Sequence, residues 1–234
     1  MPFELLAGVV PCPGGWAVAP GKLVGINLFP QELQVVPRLR DVLDTVPEYS
    51  VIALAAPVGL PDRPARGGRA CDREARRLLG WPRSGAIRSA PCRTVVDAGT
   101  PARAVASNGG RLDVVTRRML PRIKEVAAEV QSHRQRTVYE VHPALSFYQL
   151  NGDEPLSNPK RTPEGVAERQ QLLAKRMPGL EPLVDARISG ASMWQLLDAG
   201  AVLWTARRIA ARAINRVPDN PEWNGDGLRM EIVR

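Results

Sequence analysis

A chain of 234 residues, 44% of them hydrophobic, is long enough to bury a substantial core, and one α/β domain accounts for it more simply than two small ones. Lys and Arg number 32 against 24 Asp and Glu, a formal charge of +8 that suits polyanions or anionic ligands, although an Arg-, Ala- and Pro-rich composition produces the same surplus. Three Phe and three Tyr are too few for a single-stranded nucleic-acid stacking platform, and the widely spaced Cys12, Cys71 and Cys92 show no metal-ligand spacing and fit a reduced, cytoplasmic protein.

The opening Met-Pro-Phe-Glu-Leu-Leu has neither a basic leader nor a long apolar run, so no secretory signal is expected. Glu4 to Val10 reads as a strand, Pro11 to Gly15 as a tight turn, and Trp16 to Ala19 and Lys22 to Leu28 as two more strands of a meander. Gly14 and Gly15 suit a hairpin turn better than a phosphate loop. From Pro30 to Val46, apolar residues at Leu33, Val36, Leu39, Val42, Leu43 and Val46 recur with a helical period. Ser50 to Ala55 is a short buried strand, and Pro61 to Arg69 is a Pro-, Gly- and Arg-rich loop. Cys71 to Leu79 forms a helix ended by Gly80, Pro82 to Gly110 has no clear period, and Leu112 to Gln131 is a helix interrupted at Pro121.

Arg136 to Val141 is a β-rich run, followed by a short helix from Pro143 to Leu150 that Asn151-Gly152 closes. Thr162 is the N-cap of the next helix, with Pro163 at its first position and Glu164 in its first turn. The helix that starts at Trp194 is the most apolar, but Asp198, Arg207, Arg208 and Arg212 make it a core helix and not a membrane span. It is expected to run to Val217, with Leu228 to Val233 pairing as a last short strand.

The densest chemistry lies between Glu140 and Arg169. Glu140 and His142, two residues apart, would share one strand face at the strand's C-terminal end, where open α/β sheets place ligands. Lys160 and Arg161 flank a helix N-terminus that favours anions. The bland reading has a paired edge carboxylate, a capping histidine and a solvated basic loop. Cys71 precedes a helix whose dipole could lower its thiol pKa, though a small buried residue is the commoner role.

Gly8-Val-Val-Pro-Cys-Pro-Gly-Gly-Trp16, Ala56-Pro-Val-Gly-Leu-Pro-Asp62, Cys71-Asp-Arg-Glu-Ala-Arg76, Glu140-Val-His-Pro143, Lys160-Arg-Thr162 with Gly165 and Arg169, and Leu197-Asp-Ala199 with Trp204-Thr-Ala206 together resemble the domain-of-unknown-function family 429. That family is described as predicted ribonuclease H-like nucleases. The resemblance runs in order from about residue 6 to 232 and implies a single ribonuclease H-like α/β domain over residues 1–234. Its mixed sheet would join three antiparallel strands to parallel ones, with helices on both faces and a helical insertion at about 61–132.

The resemblance also implies a divalent-metal centre, Mg or Mn, built from clustered carboxylates. The family's acidic positions here carry Val10, Ala55, Ala144 and the pair Trp194-Gln195, leaving Glu140 and Asp198 as the metal ligands to expect, with Asp72 on the insertion helix. Glu181 and Asp185 lie close enough in sequence to compensate. The matched set otherwise comprises His142 and the candidate ligand-binding residues Arg73, Arg76, Lys160, Arg161 and Thr162. Three functions follow as expectations: a degenerate relative that binds nucleic acid or another anionic ligand, an active metal-dependent nuclease, and a repurposed metal-free enzyme with Glu140 and His142 as acid and base on a small anionic metabolite.

Overall fold

The computed structural model of the protein describes residues 2–180 and 187–234. Its main sheet has the order β3-β2-β1-β5-β6. The strands are β1 (Glu4–Cys12), β2 (Gly15–Val24), β3 (Asn27–Pro30), β5 (Val51–Leu54) and β6 (Val138–Glu140), with β4 (Gln34–Val36) also paired to β2. β1 pairs β2 antiparallel and β5 parallel, and β5 pairs β6 parallel. This is an α/β fold of ribonuclease H-like type.

The period-2 alternation of the strands decides which helices they meet. Leu6, Val10 and Cys12 of β1, Ala17, Ala19 and Leu23 of β2, and Val51 and Ala53 of β5 bury into one cluster. α7 (Met193–Ala210) covers that face, apolar around most of its circumference because α5 (Pro143–Leu150) and α6 (Pro163–Arg176) pack on its other side. Gly8 permits the close approach: a Cβ there would lie 2.3 Å from both the Ala199 carbonyl oxygen and the Leu203 nitrogen. Ala7, Val9, Trp16, Val18, Ile52, Leu54 and Val138 bury on the opposite face, with Leu39, Val42 and Leu43 from around α1 (Arg40–Leu43) and Val126 from α4 (Val114–Glu129). Between β5 and β6 lie α2 (Ala70–Leu79), α3 (Pro101–Ser107) and α4.

Several local expectations change. Trp16 to Val24 is one continuous strand, not two. Pro20 falls between the residues of β2 that pair with β4 and those that pair with β3, and its carbonyl accepts from the Gln31 N–H. The segment from Pro30 to Val46 is not a single helix: Pro37 disfavours a helical Val36, and the β-branched Val35 and Val36 pair with Ala17 and Trp16, respectively, instead. The Pro82 to Gly110 region holds α3, whose N-cap Thr100 accepts from the Arg103 N–H, while Pro121 sits inside α4 and does not start it. α7 ends at Ala210, with Arg212 at φ 56°, and the chain turns into β7 (Arg216–Trp223), which pairs antiparallel with β8 (Arg229–Val233). Among the described residues no helix is long and apolar enough to cross a membrane.

Candidate functional site

β6 places Glu140 in register with Leu54 of β5, whose own partner on β1 is Val9. Side chains in register point to the same side of a sheet, so Glu140 lies on the α4 face. Val10, and Ala55 just past β5, pack with the α7 cluster on the other side. α7 also carries Asp198, so sheet register separates the two carboxylates expected to share a metal.

Glu140 is nevertheless fully engaged. The buried Arg69 guanidinium donates to it twice, Nη1 to Oε2 at 2.7 Å and Nη2 to Oε1 at 2.5 Å, while the Val58 N–H reaches Oε2 at 2.6 Å. Arg69 Nη2 also donates to Asp72 Oδ1 at 2.8 Å, and Nη1 donates to the carbonyls of Val58 and Gly59, both at 3.1 Å. Asp72 Oδ2 accepts from the backbone N–H groups of Arg69 and Ala90, each at 3.0 Å. All four carboxylate oxygens of Glu140 and Asp72 therefore have donors, and a bidentate guanidinium lies between the two groups.

The local chain makes this cluster possible. Gly68, at φ +79°, turns the backbone into α2, and a Cβ there would sit 2.5 Å from Asp72 Oδ2. Arg69 then occupies the N-cap position and Asp72 the third helical position. Burial works against the Arg69 charge, but Asp72 and Glu140 outweigh it and hold the guanidinium well above its usual range. Burial would likewise raise Asp72, yet Arg69 and the Ala90 N–H hold it below the ordinary carboxylate value. One cation cannot neutralise two anions, and the surplus falls on Glu140, which burial pushes up to about 7 against the pull of Arg69. Cys71, next in the chain, has its thiol pushed well up by burial, so the helix N-terminus does not activate it.

Arg73 donates to the Gly68 carbonyl, and Arg76 to the carbonyls of Gly67 and Ile87, so both cations staple the loop ahead of α2. His142 is the N-cap of α5, its Nδ1 accepting from the Ala144 N–H at 3.1 Å. Burial, with Lys160 facing it, pushes the imidazole down to about 4, and the ring also hydrogen-bonds the Ala86 backbone. A histidine committed at Nδ1 and to Ala86 is poorly placed to shuttle protons. Ala144 packs against the cluster around Leu145 and Cys71.

A second cluster lies on the α7 side. Lys160 Nζ pairs with Asp198 Oδ2 at 2.7 Å and stands 4.3 Å from the centre of the Trp194 ring, with the Arg161 guanidinium 4.9 Å from the same ring. Asp198 is 6% exposed and Lys160 40%, so the lysine presents this pair to solvent. Thr162 caps α6, accepting from the Gly165 N–H at 3.1 Å, and the buried Arg169 donates to the carbonyls of Asn158 and Gly165 beside the Phe147 ring. Gln195 donates to the Pro11 carbonyl and accepts from the Ser192 N–H, closing a capping box.

The donor set does not fit the two-metal centre that the resemblance implies. Glu140 and Asp72 are saturated by Arg69 and backbone N–H groups, Asp198 is held by Lys160 on the α7 face, and Val10 and Ala55 contribute only apolar surface. Among the described residues, no group of three or more His, Cys, Asp or Glu side chains could hold a metal ion. Glu181 and Asp185, which could have compensated, lie outside the described residues. Sequence reasoning missed Arg69; its signal was an arginine three residues before Asp72, directly after a Gly-Gly turn.

No curated protein and no solved structure matches the chain. A family model does match, over residues 8–223, the one described as "Protein of unknown function (DUF429)". The match spans most of the sequence and includes the motifs that position Arg69, Asp72, Glu140 and Asp198, so the chain belongs to the domain-of-unknown-function family 429.

Proposed function

We propose that this protein is a metal-free relative of ribonuclease H-like nucleases that binds a nucleic acid or another polyanion without cleaving it. The observation that carries the reading is the Arg69 guanidinium seated between Glu140 and Asp72, where it meets the charge that a nuclease would neutralise with divalent cations. The binding half rests on Lys160 and Arg161, both stacked on Trp194 at the start of α6, and on the formal charge of +8. A polyanion at this surface would compete with Asp198 for Lys160 and engage Arg161 directly.

Fluorescence anisotropy with labelled single-stranded and duplex oligonucleotides, at 50 and 200 mM salt, tests the binding. Affinity should fall by about tenfold or more across that range, as release of counterions from a few phosphates requires, and fall again in the Lys160→Ala, Arg161→Ala double variant. Calorimetry with manganese should show no stoichiometric site. Tight manganese binding, together with oligonucleotide cleavage that disappears in Glu140→Gln, would overturn the proposal in favour of an active metal-dependent nuclease.

A further inference from the structure

Beside the 3₁₀ turn Arg83–Ala86 lies a cleft of about 400 Å³, with Gly67, Arg76, Ser84, Arg88, Ser89 and Asp113 in its walls. The walls are anchored by groups already described. Arg76 donates to the Gly67 carbonyl on one side and to the Ile87 carbonyl on the other, and Asp72 Oδ2 accepts from the Ala90 N–H just beyond. Gly67 has no side chain to cover the Arg76 fork, and a Cβ there would stand 3.5 Å from Nη2. The backbone on both sides of the cleft is therefore held in place before any ligand arrives.

These walls hold donors in excess. Arg88 is exposed, and its guanidinium makes no hydrogen bond or ion pair with any described residue. The hydroxyls of Ser84 and Ser89 are likewise without a partner among the described residues. The one carboxylate among the described residues of the walls, Asp113, is already spent on α4. As the N-cap of that helix, its Oδ1 accepts from the Val115 and Thr116 N–H groups and its Oδ2 from the Thr116 hydroxyl, while Arg88 attracts it only through space. Two guanidinium charges against one capping carboxylate, itself offset by the positive pole of α4, leave the cleft net positive.

We infer that this cleft binds a phosphoryl group, its oxygens held by the Arg88 fork and the hydroxyls of Ser84 and Ser89, with Arg76 supplying the second positive charge. The donor set favours a tetrahedral oxyanion over a carboxylate. Phosphate offers oxygens in several directions to three separate side chains, whereas a planar carboxylate is satisfied by the guanidinium fork alone. None of these residues belongs to the cluster of Lys160, Arg161 and Trp194. The phosphoryl site and the polyanion surface therefore fail separately.

Inorganic phosphate is the probe, titrated into the full chain at constant pH and ionic strength and followed by the amide resonances of Gly67, Gly85, Arg88 and Ser89. Those resonances should move saturably, with half-saturation at about 1 mM, and chloride at matched ionic strength should leave them in place. Arg88→Ala, a change at an exposed position, should weaken phosphate by about tenfold, and Arg88→Lys should recover only part of that because the charge returns without the fork. A terminally phosphorylated oligonucleotide that binds more tightly than its dephosphorylated counterpart, by a margin that Arg88→Ala removes, would place the phosphoryl group on a strand end; equal affinity would leave free phosphate as the ligand. An equal response to chloride, phosphate shifts confined to the Lys160 and Arg161 amides, no shifts at all, or unchanged affinity in Arg88→Ala would each overturn the assignment.

Discussion

Replacing Arg69 with methionine keeps a long side chain in a site that is 2% exposed and removes the charge, the fork and every donor it carries. Two buried carboxylates then lose their common cation, and the carbonyls of Val58 and Gly59 lose their donor. Breaking a buried ion pair from one side costs about 3–5 kcal/mol, and each orphaned buried acceptor adds about 1 kcal/mol or more. Protonation of Glu140 and Asp72 relieves part of the cost. A net loss of about 5 kcal/mol at pH 8 is therefore expected, a large share of the roughly 5–15 kcal/mol that holds a domain together.

The sign of the pH dependence follows from the same geometry. Without Arg69 both carboxyls have folded-state pKa values raised above their unfolded ones, so the variant's deficit is largest at high pH and shrinks as pH falls and both groups take up protons. Urea unfolding followed by far-UV circular dichroism, at pH 8 and pH 5, measures both terms. Adding Asp72→Asn and Glu140→Gln to Arg69→Met should recover part of the loss, because neutral amides are cheaper to bury than unpaired charges. A variant within about 1 kcal/mol of the parent at pH 8, or a deficit that grows on acidification, would refute the argument that Arg69 is the cation around which this cluster is built.

Two opposed titrations should nearly cancel in the parent protein. Glu140, raised to about 7 from 4.5, contributes stability that is present at low pH and lost as pH rises through that window, whereas His142, lowered to about 4 from 6.5, contributes stability present above 6.5 and lost as pH falls. Between pH 4.5 and 6.5 unfolding free energy should be almost flat in the parent, fall with pH in His142→Asn, which retains an N-cap, and rise with pH in Glu140→Gln, each slope approaching about 1.4 kcal/mol per unit; parallel curves in all three would contradict this. Gly8→Ala drives a methyl into the α7 backbone and should cost about 3 kcal/mol in the same urea assay, with a neutral result excluding the close approach of β1 and α7. Asp198→Asn releases a lysine that is 40% exposed, so it should change stability by less than about 1 kcal/mol while tightening oligonucleotide binding; weaker binding would place Asp198 on the ligand side of the interaction.

Much of the fold is legible in the residues because its signals are local. The strand at Glu4 to Val10, the Thr162-Pro163 and His142-Pro143 starts, and the Asn151-Gly152 stop each depend on a few neighbouring side chains, and each forms as read. Pro30 to Val46 misleads because its apolar spacing fits a helix while Pro37 and the open edge of β2 favour β4. β7 escapes because nothing before Arg212 announces that an apolar helix will end and reverse into a ribbon.

The candidate site divides the same way. Sequence by itself singled out Glu140, Asp72, Lys160 and Asp198, and the family resemblance implied that Val10 and Ala55 stand where a metal nuclease would carry acids. Only the tertiary structure decided what the surviving acids do. Strand register turns Glu140 toward one face of the sheet while α7 carries Asp198 on the other, and the turn at Gly68 brings Arg69 onto Glu140 across 71 positions of sequence. Which face a carboxylate meets, and which cation reaches it there, are set by crossovers and packing between distant segments, and no spacing along the chain encodes them.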